Sequence, residues 1–503
     1  MSHKRGKQHH CPGPLPSVRI EAMPKRFAQD GVWVRAALWL AAAGLALCPV
    51  SGAPAQGGVP DAPAPTRPIR PYVLPNRLPD KPSLPPVFTI PVEPLGFAAP
   101  GNIYLGQRNS LVSLDFLNES RLLFTFRVPG LMHRDAREND EGVERQIRAV
   151  VLALPAGTVE AEALWTVHDR ARYLWMLKDG HFLLRDRDNL EMGDGALELK
   201  PFLRFPGPLL WLEMDPAQRF LVADSREPAA AQQKPVEGSA PASHPSDKDT
   251  SLHPREQESP VGDPASLGTP GSAAAAMTVD GQNAAGQPDL AVRILRRESG
   301  QVMLVSRVRS TVHLPINSNG YLESLRGRGT EWLLNLSYFS GGSTILGRVE
   351  SACSPLLDFL SEREVLVSAC APSGEDVLVA LTTNGRRLWA DLSSKTLVWP
   401  LLVKSPDGSR LARETLAATH AVNAREFLGE DDIKGQLVQI LDAADGRVAL
   451  EAQASPVLDA GGNVTISPSG RRVAVLNAGA IQIFELPAPP LLPPDAAGSQ
   501  PAH

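Results

Sequence analysis

The 503-residue chain holds only four cysteines, and aromatic residues make up 5% of it. Four cysteines exclude a disulfide-dense scaffold. No apolar run reaches the roughly 20 residues that a membrane-crossing helix needs. GxSxG, P-loop and HExxH motifs are absent, so no common nucleophile, nucleotide or zinc chemistry is written in the linear sequence. No basic stripe interleaved with aromatics occurs beyond residue 55, which argues against a nucleic-acid partner, because phosphate binding needs clustered positive charge. What the chain has in excess is 47 prolines and 41 glycines. Together they exclude an architecture of long uninterrupted helices.

The one membrane-like stretch, residues 36–50 (AALWLAAAGLALCPV), follows Lys25, Arg26 and Arg35 and precedes Ala53-Pro54-Ala55. A basic region, a short apolar region and a small-x-small site in that order read as a secretory signal cleaved after Ala55, with Met23 as the start. Leu47 before Cys48 and Pro49 after it argue against lipid attachment at that cysteine. Cleavage removes seven Lys/Arg and two Asp/Glu, leaving 43 basic against 53 acidic residues. The expectation is an extracytoplasmic (periplasmic or secreted) protein with no membrane span after signal cleavage.

Two internal segments lack what a core requires. Residues 56–95 carry 12 prolines in 40 positions and read as an extended, Pro-rich N-terminal leader. Residues 228–289 contain nine prolines, no aromatic and six Val, Leu, Ile or Met in 62 positions. Such a stretch cannot bury enough apolar area to offset the entropy of ordering it, and it reads as a disordered low-complexity insertion. Strand-like RFLVAD (219–224) and LAVRIL (290–295) flank it, as expected of a loop within one domain. A Pro-rich tail, 488–503, is also expected to be disordered.

Between these segments one pattern recurs: a short apolar run, a small polar turn, a second apolar run. Its turns fall at 118–120, 169–171, 215–218, 326–329, 361–363, 405–408 and 467–470. Two versions, LDFLNES (114–120) and LDFLSER (357–363), are near copies. The mean spacing is about 48 residues once the 62-residue insertion is discounted. A period in the forties with several short strands per repeat is the signature of propeller blades. Asp179-Gly180, Asn384-Gly385 and Asp445-Gly446 add further hairpin turns. The fold class is therefore all-β: a seven-bladed β-propeller of four-stranded antiparallel blades over 96–487. The last unit offers only three strands, so NIYLGQ (102–107) is expected to close the ring as its outer strand. Trp165, Trp175, Trp211, Trp332, Trp389 and Trp399 read as core.

SPDGSRLA (405–412) and SPSGRRVAVL (467–476) resemble the strand-turn-strand segment of TolB-type and WD-repeat-like bacterial extracytoplasmic β-propellers. The resemblance covers two of the seven units by motif and implies a propeller with a binding role. No unit ends in Trp-Asp, and Gly180-His181 is the single Gly-His candidate.

Catalytic candidates are thin. His133-Arg134-Asp135 with Asn139 imitates a kinase catalytic loop, but no Gly-rich phosphate loop or Asp-Phe-Gly accompanies it. His133, His168, His181, His313 and His420 are scattered. Asp186, Asp188, Glu191 and Asp194 offer hard oxygen ligands suited to calcium, yet Leu190 and Glu191 break the EF-hand spacing, and no metal or cofactor is assigned. Asn118, Asn335 and Asn463 begin Asn-x-Ser/Thr triplets. Cys353 and Cys370 flank the 361–363 turn symmetrically, so a hairpin there sets them opposite one another for a disulfide in an oxidising compartment, with two buried free thiols as the alternative. The expectation is an exported monomeric scaffold for an unknown protein or small ligand at one mouth of the ring. The alternatives are a propeller hydrolase or lyase with channel carboxylates, and a quinoprotein-type oxidoreductase. Few acidic or basic residues are expected on the innermost strands.

Overall fold

The computed structural model describes residues 78, 82–100, 112–128, 144–168, 172–227, 290–308, 310–422, 426, 428–458 and 460–490. All of them fall in the compact unit that spans residues 69–503. Among them the regular structure is almost wholly strand, with only single 3₁₀ turns at 93–95 and 430–432.

Strand β1 (Phe88–Pro91) comes first and belongs to the last sheet. Blade 1 is β2 (Val112–Asn118), β3 (Arg121–Arg127), β4 (Arg145–Ala153) and β5 (Thr158–Val167). Blade 2 is β6 (Leu174–Met176), β7 (Phe182–Asp186), β8 (Asn189–Gly193) and β9 (Leu199–Arg204). Blade 3 is β10 (Leu209–Met214), β11 (Phe220–Arg226), β12 (Leu290–Arg296) and β13 (Val302–Val308). Blade 4 has β14 (Gly320–Arg326), β15 (Glu331–Tyr338) and β16 (Ser343–Glu350). Blade 5 is β17 (Leu356–Ser361), β18 (Glu364–Cys370), β19 (Asp376–Thr382) and β20 (Arg387–Leu392). Blade 6 is β21 (Leu397–Lys404), β22 (Arg410–Ala418), β23 (Ile433–Asp442) and β24 (Val448–Ala454). Blade 7 is β25 (Val464–Ile466), β26 (Arg472–Asn477) and β27 (Ala480–Glu485), with β1 on its outer edge. Every pairing is antiparallel between neighbours, so these seven sheets form a seven-bladed β-propeller.

The sequence pattern follows position in the blade. Second strands are covered on both faces by neighbouring blades and read as continuous apolar runs, as in β3 (RLLFTFR) and β18 (EVLVSAC), buried almost throughout. Outer strands meet water and alternate, as in β5 (TVEAEALWTV). The glycines of the two Ser-Pro-x-Gly turns, Gly408 and Gly470, have φ of +75° and +70°. A side chain on either would strike the preceding blade, at the Leu360 carbonyl and the Ser409 hydroxyl respectively. Only glycine serves there.

The 62-residue segment joins β11 to β12 without disturbing them. Their register runs unbroken from Phe220↔Arg296 to Arg226↔Leu290. Residues 228–289 lie outside the described residues.

Four expectations need correction. First, the strand that closes blade 7 is β1, with Phe88 opposite Ile483 and Ile90 opposite Ile481; 102–107 lies outside the described residues. A run of Pro-x-Pro spacing disguised a four-residue strand whose last residue, Pro91, is tolerated because β1 is an edge. Second, the leader is therefore not a spacer up to residue 95. Ser83 bonds backbone to backbone with Glu451 of β24, Ile90, Val92 and Leu95 are buried, and Phe97 packs on Phe124 and Phe126 at 5.4 Å each. Third, residues 169–171, expected as a hairpin turn, lie outside the described residues and fall in the chain between β5 of blade 1 and β6 of blade 2; the first hairpin of blade 2 is the Asp179-Gly180 turn between β6 and β7. Two apolar runs around a polar turn describe a hairpin and a blade-to-blade crossing equally well.

Fourth, blade 4 has three regular strands rather than four. Its axial place is taken by the irregular segment 311–317, which joins β14 through the Ile316–Tyr321 bridge, Leu322 N to Pro315 O at 2.9 Å and Asn317 N to Gly320 O at 2.9 Å. Pro315 has no N–H to give to a ladder, which keeps this segment out of regular pairing. The 326–329 turn consequently joins β14 to β15, second to third position, rather than first to second.

Apolar clusters fill the seams between blades. The richest lies between blades 7 and 1 and includes Ile90, Val112, Phe124, Leu476 and Ile481. The thinnest blade-to-blade seam among the described residues lies between blades 3 and 4, where Val222, Val292, Ile294 and Ile316 are the buried members.

Candidate functional site

The innermost strands of neighbouring blades converge, β2 against β25 and β6, and β21 against β25. Charged side chains sit on them after all. β10 carries Glu213, β17 carries Asp358, and β21 ends on Lys404. The irregular segment of blade 4 adds His313.

His313 is the hub. Its Nε2 donates to the Leu357 carbonyl on blade 5 at 2.8 Å, and its Nδ1 lies 3.0 Å from Glu213 Oε2 on blade 3. One imidazole thus spans the gap where an axial strand of blade 4 would stand. The Nδ1–Oε2 approach is a charge contact rather than an aligned hydrogen bond. Trp211 stands edge-on to the imidazole at 5.9 Å. Lys404 Nζ donates to Asp358 Oδ1 at 2.7 Å and to the Phe359 carbonyl at 2.9 Å. Behind the hub, Asp224 on β11 accepts from the Val312 N–H at 2.7 Å and so fixes the backbone beside His313.

The protonation states follow from these neighbours. Burial works against a charge on His313, but Glu213, Asp358 and the Leu357 carbonyl outweigh it and raise the imidazole to about 9. Burial likewise opposes ionisation of Glu213, and here His313, Lys404 and Trp211 prevail and hold the carboxyl low. Lys404, three blades around the ring from Glu213, adds to that pull. Asp224 behaves oppositely. Burial, joined by the Glu213 charge, raises it to about 7 against the pull of Val312 and His313. Asp115 on β2 is also raised, mainly by burial, despite Ser113 and Arg172.

Chemically, the channel offers matched charges. At neutral pH the imidazolium has both nitrogens engaged, so it is not a free general base. Asp358 and Lys404 each keep about a third of their side-chain surface open to solvent, which leaves them able to exchange partners.

The residues singled out from the sequence are placed elsewhere. Asp186 accepts from His168 Nδ1 and N at 2.9 Å; Asp188 receives Arg204 Nε at 3.0 Å; Asp194 caps the backbone N–H groups of Ala196 and Glu198. Glu191 lies on β8. Among the described residues no three His, Cys, Asp or Glu side chains gather as metal ligands. Trp165, Trp175 and Trp389 are buried, while Trp211, Trp332 and Trp399 are half-buried. Cys353 and Cys370 are joined by a disulfide with Cα atoms 5.5 Å apart, Cys353 lying in the link between blades 4 and 5 and Cys370 ending β18. Asn335 and Asn463 are buried with their amides engaged, so the folded chain does not present them for glycosylation. Asn118 Oδ1 accepts from the Ser120 N–H. His133, Arg134, Asp135 and Asn139 lie outside the described residues.

Glu213, Asp224, His313, Asp358 and Lys404 carry no linear motif, since each comes from a separate element. One signal was present: Asp115 and Asp358 occupy the same place in the LDFL near copies, an acidic residue kept where an apolar inner strand has no need of one.

No protein family and no curated protein sequence matches the chain. Solved structures do. Acylaminoacyl peptidase of Pyrococcus horikoshii aligns at 9% identity and a TM-score of 0.39, over 73% of this chain and 49% of that one. The β-propeller domain of the trilobed protease from Pyrococcus furiosus aligns at 10% identity and 0.36, over 75% and 94%. Hydrazine synthase of Kuenenia stuttgartiensis aligns at 8% and 0.36, over 70% and 94%. The chain spans about half the length of the peptidase. At this distance the likeness is one of fold, and the assignment as a seven-bladed propeller rests on the sheets described above.

Proposed function

We propose that this chain is an exported, non-enzymatic binding propeller of the TolB-like kind, whose channel takes a small ligand bearing both an ammonium and a carboxylate. The observation that carries this is the Asp358–Lys404 pair at 2.7 Å, a third exposed, with His313 bonded to the carbonyl of the adjacent Leu357. A zwitterion can exchange into such a pair, its ammonium at Asp358 and its carboxylate at Lys404, without leaving any charge unmatched. The TolB-like assignment draws on the Ser-Pro-x-Gly turns. Export draws on residues 36–55, which lie outside the described residues, and on the Cys353–Cys370 bond, which suits an oxidising compartment.

The test is thermal denaturation of the protein with a panel of amino acids and dipeptides. A bound ligand at a hundred times its Kd stabilises by about 2.7 kcal/mol, a readable rise in Tm. The rise is expected to vanish in the Asp358→Asn/Lys404→Met double variant, which removes both charges together. An equal rise in that variant, or none across the panel in the parent, refutes the reading. Export is checked by N-terminal sequencing of the protein recovered from outside the cytoplasm, expected to begin at Gln56.

A second reading, a hydrolase or lyase, is favoured by one observation. Glu213 is pushed down and Asp224 up to about 7, and opposed shifts in neighbouring carboxylates are how one site obtains both a base and an acid. Turnover of ester or glycoside substrates that disappears in Glu213→Gln would favour it over binding alone.

A further inference from the structure

Outer edges of sheets are liabilities, and proteins blunt them with charge or proline. The outer strands here follow that rule, β13 least of all. β5 carries Glu160 and Glu162, β9 Lys200, Pro201 and Arg204, β16 Arg348, β20 Arg387 and Asp391, β24 Glu451, and β1 Pro91. β13 reads VMLVSRV, with no charge or proline until Arg307. Its side chains are also bare on both faces: Met303, Leu304 and Val305 are 48%, 49% and 54% exposed.

Beside β13, a cleft of about 450 Å³ lies between blade 3 and blade 4. Phe220, Ile294, Leu304, Val308, Tyr321 and Phe339 line it, and none of its lining side chains is charged. From β13, Leu304, Ser306 and Val308 line this cleft at alternate positions and Met303 adds to its lining, while Val305 does not take part.

An edge whose single charge is Arg307 near its end, bordered by an apolar cleft on one face, matches one kind of occupant. A strand pairing with β13 would put every second side chain into the cleft, and those must be apolar because nothing there answers a charge. An acidic residue opposite the exposed Arg307 completes the match. Blade 7 shows that this ring accepts an outer strand from a distant stretch of polypeptide, since β1 pairs with β27 nearly 400 residues later. We propose that the β13 edge and the blade 3–4 cleft bind an extended, apolar strand of a partner protein, carrying one acidic residue, by strand addition. This surface is separate from the channel and does not depend on the ligand proposed there.

The probe is a fluorescein-labelled octapeptide of alternating valine and threonine ending in glutamate, read by anisotropy against the full chain. Saturable binding is expected. Leu304→Lys should weaken it at least tenfold with an unchanged Tm, because Leu304 is half exposed and its replacement disturbs no core. The same peptide with alternate backbone nitrogens methylated should lose binding at least tenfold, since it keeps the side chains and loses the ladder. Absence of saturable binding, equal binding by Leu304→Lys, or equal binding of the methylated peptide each overturns the proposal. Sedimentation supplies a further check: a dimeric parent and a monomeric Leu304→Lys would show that a second copy occupies the edge, and the partner strand would be withdrawn.

Discussion

Two seams of the ring are built from broken repeats, and they end differently. Blade 7 lacks an outer strand of its own and takes one from residues 88–91, whose side chains enter the richest apolar cluster in the molecule. Blade 4 lacks a regular axial strand and fills the place with 311–317. There the seam stays open, with a cleft on the outside and a histidine in the channel. A missing strand at the rim can be replaced by any short segment that reaches the edge. A missing strand at the axis changes what the channel contains, because side chains there come from every blade.

Experiments can widen or collapse this contrast. The largest effect is expected on the closed side, at Arg410. Its guanidinium and Asp442 are both about 1% exposed, and it also donates to the carbonyls of Gly470 and Pro487, tying blade 6 to blade 7. Arg410→Met leaves the buried Asp442 carboxylate with only the largely exposed Arg447, at 3.3 Å, as a charged partner and should cost about 3–5 kcal/mol in urea unfolding. Adding Asp442→Leu should recover most of that loss. A cost below 1 kcal/mol for the single variant would mean that this tie is not what binds the two blades.

Next in size is the closing strand itself. Ile90→Ala should cost about 2–5 kcal/mol, the range for an aliphatic side chain deleted from a packed core. Near-neutral behaviour would show that β1 is a passenger rather than the ring's clasp.

The disulfide lies on the other side, between the link after blade 4 and blade 5. It closes a 17-residue loop, and Cys353→Ser/Cys370→Ser should cost about 3 kcal/mol, with reductant lowering the Tm of the parent alone. Two alkylated thiols in the unreduced parent would remove the premise.

An effect of comparable size, spread over several pH units, depends on pH. Glu414 on β22 is fully buried, and burial raises it to about 8. Its folded-state value lies above the unfolded one, so the unfolded chain releases this proton first as pH rises. Stability should therefore fall between about pH 4.5 and 8, on the order of 1 kcal/mol per pH unit from this group. Glu414→Gln should flatten that slope relative to the parent and leave the two closest near pH 4. An identical slope in both proteins would assign the fall to other carboxyls. Smallest of all, Leu304→Ala on the open side should shift stability by less than about 0.5 kcal/mol, in contrast to Ile90→Ala. A large loss there would mean that the cleft is structural.

Much of this ring was legible beforehand. Five of the seven turns, those at 118–120, 215–218, 361–363, 405–408 and 467–470, mark first hairpins of blades because turn chemistry is local: polar or glycine residues must interrupt the apolar runs wherever the chain reverses. The two out of phase, 169–171 and 326–329, failed for the same reason, since a local signal does not say whether the chain returns to its own sheet or crosses to the next. β1 escaped notice because a strand of four residues among prolines has no period to read. The channel group was invisible in the linear order, with Glu213 and Lys404 nearly 200 residues apart and meeting only because their blades face one axis.

The sequence by itself determined the unit of construction: short apolar runs that cannot cover their own faces, repeated often enough that stacking is the one way to bury them. That requirement acts within tens of residues, so composition and spacing suffice to express it. Which segment clasps the ring, which blade is incomplete and which charges share the channel were decided only by tertiary structure. Those outcomes depend on how seven twisted sheets meet around a closed circle, and closure is a property of the whole chain that no window of it contains.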